Sequence, residues 1–338
     1  MPTSENKNAM TSREIVKAMI EFRNPPRLPG NFPEPFENNI IWTGISPDPD
    51  PLANLDLSQK SWDDAWGCHW ERLGNTQLGE VKNHVLDSWE KMDSLQYPDV
   101  VSDCCYAPVK KARADYPDKY LIASGISLYF RIQFLRGVTE TWTDIYDYPE
   151  ELGQLIDQLV DLDEILIRHY AEIGVDGFNI GDDWGLQNTL QISPQKWREI
   201  WKPRYQRLFT ACKKRGLHTI LHSCGYIVDI LDDLIECGLD VIHMDQQENM
   251  GLDVLSERFG GRITFFSPVD IQKTMISGSL EDIRAYCRKM KKSFYKNGGG
   301  FIPRWYTDPD GVGHTRERID VMCTEFLKIR DLTSEKDL

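Results

Sequence analysis

Residues 217–231 read LHTILHSCGYIVDIL, an apolar run that ends in a histidine and a cysteine two positions apart. On an extended chain, positions i and i+2 point to the same side. His222 and Cys224 so placed can offer an imidazole nitrogen and a thiolate to one Zn²⁺. Gly225 then lets the chain turn sharply into a helix. The pattern equally fits a catalytic pair, or a buried cysteine beside a histidine bonded to backbone, since buried free cysteine is common.

Other reactive side chains follow apolar runs in the same way. Asp182 and Asp183 follow GFNIG, His243, Asp245 and Gln246 close DVIHMDQ, Asp270 closes RITFFSPVD, and Arg304, Tyr306 and Asp308 follow GGFIP. The competing reading is that residues after a strand cap the next helix, and Asp183 and Asp270 suit that role. CHWE (68–71) carries Cys68, His69 and Glu71 beside Trp66 and Trp70 and reads as a surface loop.

The elements that must position these residues show a repeating order. Apolar runs at 120–126, 176–182, 218–224, 240–246, 262–270 and 299–305 alternate with helical patterns. The helices fall near 127–137, 149–173, 194–215, 227–237, 251–259 and 279–297, with a last one near 315–331. Ser193-Pro194 is a helix start, and Gly174, Gly216 and Gly238 are helix stops. Ser12 is expected to cap a helix over about 13–22, after a polar, frayed start. Residues 22–36 hold five prolines and read as irregular. The stretch 40–118 is weakly periodic, with loops and short strands expected.

Strand, helix, strand in this order predicts a parallel sheet buried on both faces. The fold class expected is α/β: a (β/α)8 TIM barrel with an irregular N-terminal extension, for which about 250 residues plus extensions is usual. One domain over 1–338 is expected. Residues 1–118 supply the N-terminal helix, loops and first part of the barrel, and 119–332 the regular β/α units. A doubly wound open sheet is the alternative, but no GxGxxG opens any helix. In a barrel, strand C-termini meet at one mouth, which would gather Asp182, Asp183, His222, Cys224, Arg304 and Tyr306.

With 39 basic against 53 acidic residues, the 338-residue chain has a formal charge of −14. That argues against nucleic acid, whose phosphates are bound by clustered Lys and Arg. Eight cysteines occur without a CxxC, the N-terminal residues lack an apolar signal-peptide core, and no run is long enough to span a membrane. A cytoplasmic protein with reduced thiols is expected.

HSCGYIVDILDDLIECGLDVIHMDQ (222–246), GDDWGLQNTLQISPQKWREIWKPRYQRL (181–208) and AWGCHWERLG (65–74) resemble blocks of the uroporphyrinogen decarboxylase superfamily, in family order. The resemblance spans roughly 12–330 and implies a β/α barrel with its site at the C-terminal mouth. True decarboxylases of the family carry a motif like RQAGRY, whose arginines hold substrate carboxylates. The corresponding FRNPPRLPGNF has only Arg23 and Arg27, which turns the expectation toward the corrinoid-dependent methyltransferases and O-demethylases of the superfamily.

The thiol-methylating members use zinc held by His-x-Cys and a distant cysteine. His222 and Cys224 match the first two, but the region near GGGFIPRW has no cysteine. The resemblance to O-demethylases, with their Glu-Glu-His type of site, leaves a carboxylate as third ligand: Asp182, Asp183 or Glu199. Glu199 is taken as the ligand, and Asp182, Asp183, Arg304 and Tyr306 as catalytic. The function expected is methyl transfer from an aryl methyl ether to a corrinoid protein with zinc as Lewis acid. A metal-free lyase on a carboxylated substrate and a methylcorrinoid:thiol methyltransferase are the alternatives. No DxHxxG segment is present, so the corrinoid is assigned to a partner protein, and a second copy of the chain is a further candidate partner.

Overall fold

Seven short strands lie side by side, all parallel, and all but the first, where Trp42 is exposed, are mostly buried. The computed structural model describes residues 10–47, 59–72 and 79–333. In chain order its strands are β1 (Ile40–Thr43), β2 (Ser61–Asp63), β3 (His69–Arg72), β4 (Gly79–Asn83), β5 (Tyr120–Ser124), β6 (Gly177–Gly181), β7 (His218–His222), β8 (Val241–His243), β9 (Thr264–Ser267) and β10 (Phe301–Pro303). The parallel sheet runs β1-β5-β6-β7-β8-β9-β10 and curls into an α/β barrel of the TIM type. The strands of the six expected runs lie within their predicted limits.

The eighth position of the barrel is filled by very little chain. Asn31 donates its amide to Pro303 O at 3.1 Å, and its carbonyl accepts from Trp305 N at 3.1 Å. On the other side Asn39 N donates to Gly30 O, and Gly30 N to Asn39 Oδ1, each at 2.8 Å. Pro29 and Pro33 flank this point, and proline has no N–H to give a ladder. The strand therefore shrinks to one bridging residue.

Helices connect the strands and cover the outside. Helix Pro149–Ile173 stops at Gly174, in the left-handed conformation. The single helix expected near 194–215 is two, Pro194–Ile200 and Lys202–Lys214, because Pro203 cannot continue the hydrogen-bond ladder. The N-terminal helix is Ser12–Ile20, and Thr11 rather than Ser12 caps it, in a capping box with Glu14. Ser12 Oγ accepts instead from Asn39 Nδ2 at 2.8 Å. The polar residues before Met10 lie outside the described residues.

Weak periodicity concealed a helix before 119. The short strands expected there are β1 and the antiparallel sheet β2-β3-β4, whereas the helix Ala107–Asp115 was not expected, nor was Val138–Asp147 further along the chain. In the small sheet, His69 pairs with Asp63 while Cys68 is buried and donates to Phe134 O, so CHWE is structural, though strand rather than loop. No helix among the described residues is long and apolar enough to cross a membrane.

Candidate metal centre at the barrel mouth

Strand register builds the site. Gly181 of β6 lies beside His222 of β7, His222 beside His243 of β8, and His243 beside Phe266 of β9. Neighbouring positions of parallel strands share a face, so the two imidazoles come together: Nδ1 of His222 lies 3.2 Å from Nδ1 of His243. Phe266 stacks on His243 with ring centroids 4.9 Å apart, and Trp42 at the end of β1 stands 5.7 Å from it on another side.

The other nitrogen of His222 meets two more donors. Nε2 lies 3.5 Å from Cys224 Sγ and 3.5 Å from Asp183 Oδ1. A tetrahedral Zn²⁺ with ordinary Zn–S, Zn–N and Zn–O lengths separates neighbouring ligand atoms by roughly 3.4–3.6 Å. The two edges through His222 Nε2 thus have the spacing of such a site, and one donor atom from each of Asp183, His222 and Cys224 lies within 4.8 Å of the others. The donor set fits zinc.

Two loops hold that spacing. Asp183 Oδ1 accepts from Cys224 N at 2.7 Å, Ser223 Oγ from Trp184 N at 3.1 Å, and Cys224 O from Gly185 N at 3.2 Å. Gly225, at φ +76°, lies so close to Gly185 that a Cβ on it would sit 2.2 Å from Gly185 O. Any side chain there would push the loop bearing Asp183 away from the one bearing Cys224. Burial raises both acids: it is the largest cause for the Asp183 carboxyl, and for the Cys224 thiol, where Asp183 and Asp245 add to it. Metal binding must therefore displace protons, which makes affinity pH-dependent.

A second donor group, His222, His243 and Asp245, lies on the far side of the shared histidine. It is the poorer candidate. His243 and Asp245 are 7% and 5% exposed, and Asp245 is already paired with the Arg304 guanidinium. Burial, then Arg304 and His222, push the His243 imidazole well below its usual range, so it stays neutral.

Two expected roles change. Glu199 is an exposed residue of helix Pro194–Ile200, bonded to Lys196 at 2.8 Å and Gln195 at 2.9 Å, and belongs to neither donor group. A helix-surface glutamate cannot reach a ligand set built on strand ends. Asp182 is fully buried: Oδ1 accepts from Tyr129 N and Phe130 N, Oδ2 from Leu128 N and Tyr205 Oη. Its carboxyl, pushed up to about 6 chiefly by burial, anchors a helix start and has no lone pair left for substrate. Arg304 pairs with Asp245 through Nη1, with its guanidinium over the Phe266 ring at 5.7 Å, while its Nε is buried with no hydrogen-bond partner among the described residues.

Tyr306 stays at the mouth, half-buried, and burial followed by the Asp245 and Cys224 charges pushes its phenol up to about 12. Asp270 is a cap, accepting from Gln272 N, Thr274 N and Thr274 Oγ1. Sequence reasoning passed over Trp42 and Phe266 as walls of the site. Phe266 stands in an apolar run like any core residue, and only register across strands reveals it.

The family model for uroporphyrinogen decarboxylase (URO-D) matches residues 64–303, more than half of the chain. The chain is similar to a uroporphyrinogen decarboxylase of Magnetococcus marinus, 23% identical over 220 residues, covering 62% of this chain and 56% of that protein. The chain thus matches little more than half the length of this curated relative. Among solved structures, a methyltransferase from Methanosarcina mazei has the same fold: TM-score 0.69, 17% identity, 94% of this chain and 99% of that one covered. Blocks, barrel and family model agree, and the chain belongs to the uroporphyrinogen decarboxylase family.

Proposed function

We propose that this protein is a zinc-dependent methyltransferase, moving a methyl group from the oxygen of an aryl methyl ether to the reduced cobalt of a corrinoid held by a partner protein. The observation that carries the reading is the spacing of Asp183 Oδ1, His222 Nε2 and Cys224 Sγ, which suits three ligands of a catalytic zinc with an open position. When bound there, Zn²⁺ supplies Lewis-acid stabilisation of an oxygen that gains charge as its carbon–oxygen bond breaks. A phenolate is a poor leaving group, and that stabilisation is what the reaction lacks in water.

The chain's own residues orient and shield. Trp42, 37% exposed, offers an aromatic face to a methoxylated ring, and the fully buried Phe266 backs it with ring centroids 6.2 Å apart. Tyr306, with its phenol raised to about 12, is a weaker acid than an ordinary phenol. It therefore donates a hydrogen bond to a departing phenolate without giving up its proton. The Arg304–Asp245 pair presents no net charge to the pocket, which suits a neutral ether.

The alternatives fit less well. A lyase acting on a polycarboxylate draws on the family match, yet it needs several unpaired bidentate arginines. Arg23 is paired with Glu21, and Arg27 with Glu37. A thiol methyltransferase needs a third cysteine, and Cys287 and Cys323 are buried in the helices Leu280–Phe294 and Arg316–Lys328.

The test is zinc content followed by turnover. Native protein purified with zinc present should hold about one ion per chain, and Cys224→Ala should lose it. The native protein should then demethylate an aryl methyl ether in the presence of a reduced corrinoid protein. Folded native protein that takes up no zinc would sink the reading.

A further inference from the structure

Two imidazole nitrogens within hydrogen-bond distance hold one proton between them, and His222 Nδ1 and His243 Nδ1 meet at 3.2 Å. A neutral imidazole carries its proton on one nitrogen and a lone pair on the other. If His222 gives the Nε2 lone pair to a metal beside Cys224 and Asp183, its proton must sit on Nδ1. Nδ1–H then donates to His243, whose Nδ1 must be the acceptor. The His243 proton is thereby placed on Nε2, a buried atom with no hydrogen-bond partner among the described residues.

We infer that His243 is a positioning residue for the metal site, fixing the tautomer and ring angle of His222 through its Nδ1 lone pair. Metal-bound histidines commonly donate their second N–H to a carboxylate, a carbonyl or water. Here a second imidazole takes that place, and it is itself held rigid. Phe266 stacks on it, Trp42 closes another side, and the register of β7 against β8 sets its height. The nearby carboxylate, Asp245, is withdrawn from this duty by Arg304. The inference rests on the metal reading above and adds a residue whose contribution can be measured apart from turnover.

Three variants separate acceptor from bulk. His243→Phe keeps a flat ring and removes the acceptor, His243→Asn places an amide oxygen near the lost Nδ1, and His243→Gln places one near Nε2. Zn²⁺ affinity, read by competition with a chromophoric chelator, should fall about 10- to 100-fold in the Phe variant. The thiolate and ligand-field bands of the Co²⁺-substituted protein should shift with it. The Asn variant should recover most of the affinity and the native Co²⁺ spectrum, and the Gln variant should not.

A Phe variant that binds Zn²⁺ like the native protein with an unchanged Co²⁺ spectrum would overturn the inference alone. So would equal losses in folded Asn and Phe variants, since the effect would follow the ring itself and not its acceptor. Native protein that binds neither metal would overturn the inference together with the reading beneath it.

Discussion

Strands β6 and β7 have chemically similar residues at both ends, and the two ends treat them differently. At the N-terminal end Asp176 meets Arg13 at 2.7 Å, Lys17 at 2.8 Å and Arg113 at 3.2 Å, and also accepts from Leu121 N. His218 there has Tyr120 Oη on Nδ1 and Glu21 on Nε2. At the C-terminal end Asp183 faces a thiol and an imidazole with one backbone N–H for support, and His222 faces ligand-type atoms on both nitrogens. One end is electrostatically complete. The other is short of cations, and a barrel places its chemistry at that end.

The sharpest test of this contrast is to remove a charge at each end. Cys224→Ala or Asp183→Ala should abolish metal binding and lower methyl transfer by on the order of 10³-fold, the scale of several kcal/mol of lost Lewis-acid stabilisation. Folding stability should change little. Asp176→Ala should do the opposite: it strands three cations, costs about 3 kcal/mol of stability, and leaves Zn²⁺ affinity intact. Denaturant titration beside metal titration reads both. If Asp176→Ala loses metal as readily as Asp183→Ala, the two ends are not separable.

Gly225→Ala should cost about 1–3 kcal/mol, because it combines a positive φ with a Cβ driven into Gly185 O. Metal affinity should fall with it, as the strap between Asp183 and Cys224 opens. A destabilised variant with native affinity would show that the strap does not set the ligand spacing.

The smallest effect lies in pH. Burial lowers the His218 pKa below its ordinary value, so between the lowered folded value and about 6.5 the unfolded chain binds more protons than the folded one. Stability should therefore rise with pH through that window and be complete above it. His218→Asn, which retains an acceptor for Tyr120, should flatten the slope. An unchanged slope would assign it to the other lowered histidines, His243 and His314.

The same contrast explains what could be read from the sequence. The six runs from 120 onward have apolar strands of the right length and glycines at helix ends, so barrel and mouth were legible. His222 and Cys224 were legible as well, because same-side spacing on a strand is local information. Glu199 misled because order along the chain says nothing of which helix face a residue takes. Asp182 and Asp183 are adjacent and identical in type, and only the alternation of the chain past β6 sends one to Tyr205 and the other to Cys224. The Arg304–Asp245 pair joins residues far apart in sequence and left no local signal. The prolines around Asn31 removed the periodicity by which an eighth strand would be recognised.

That proline-bound seam has a consequence for how the barrel opens. Elsewhere each strand is zipped to both neighbours by a ladder, whereas the closure between β10 and β1 passes through the amide and carbonyl of Asn31. Local unfolding starts where the fewest bonds must break, so the amides of Asn31 and Trp305 should exchange with solvent deuterium well before those of Ile220 and Leu221. Trp305 stands between Arg304 and Tyr306 in the chain, so every such opening is felt at the mouth. Fast exchange at Asn31 and Trp305 would therefore mark an opening next to the site.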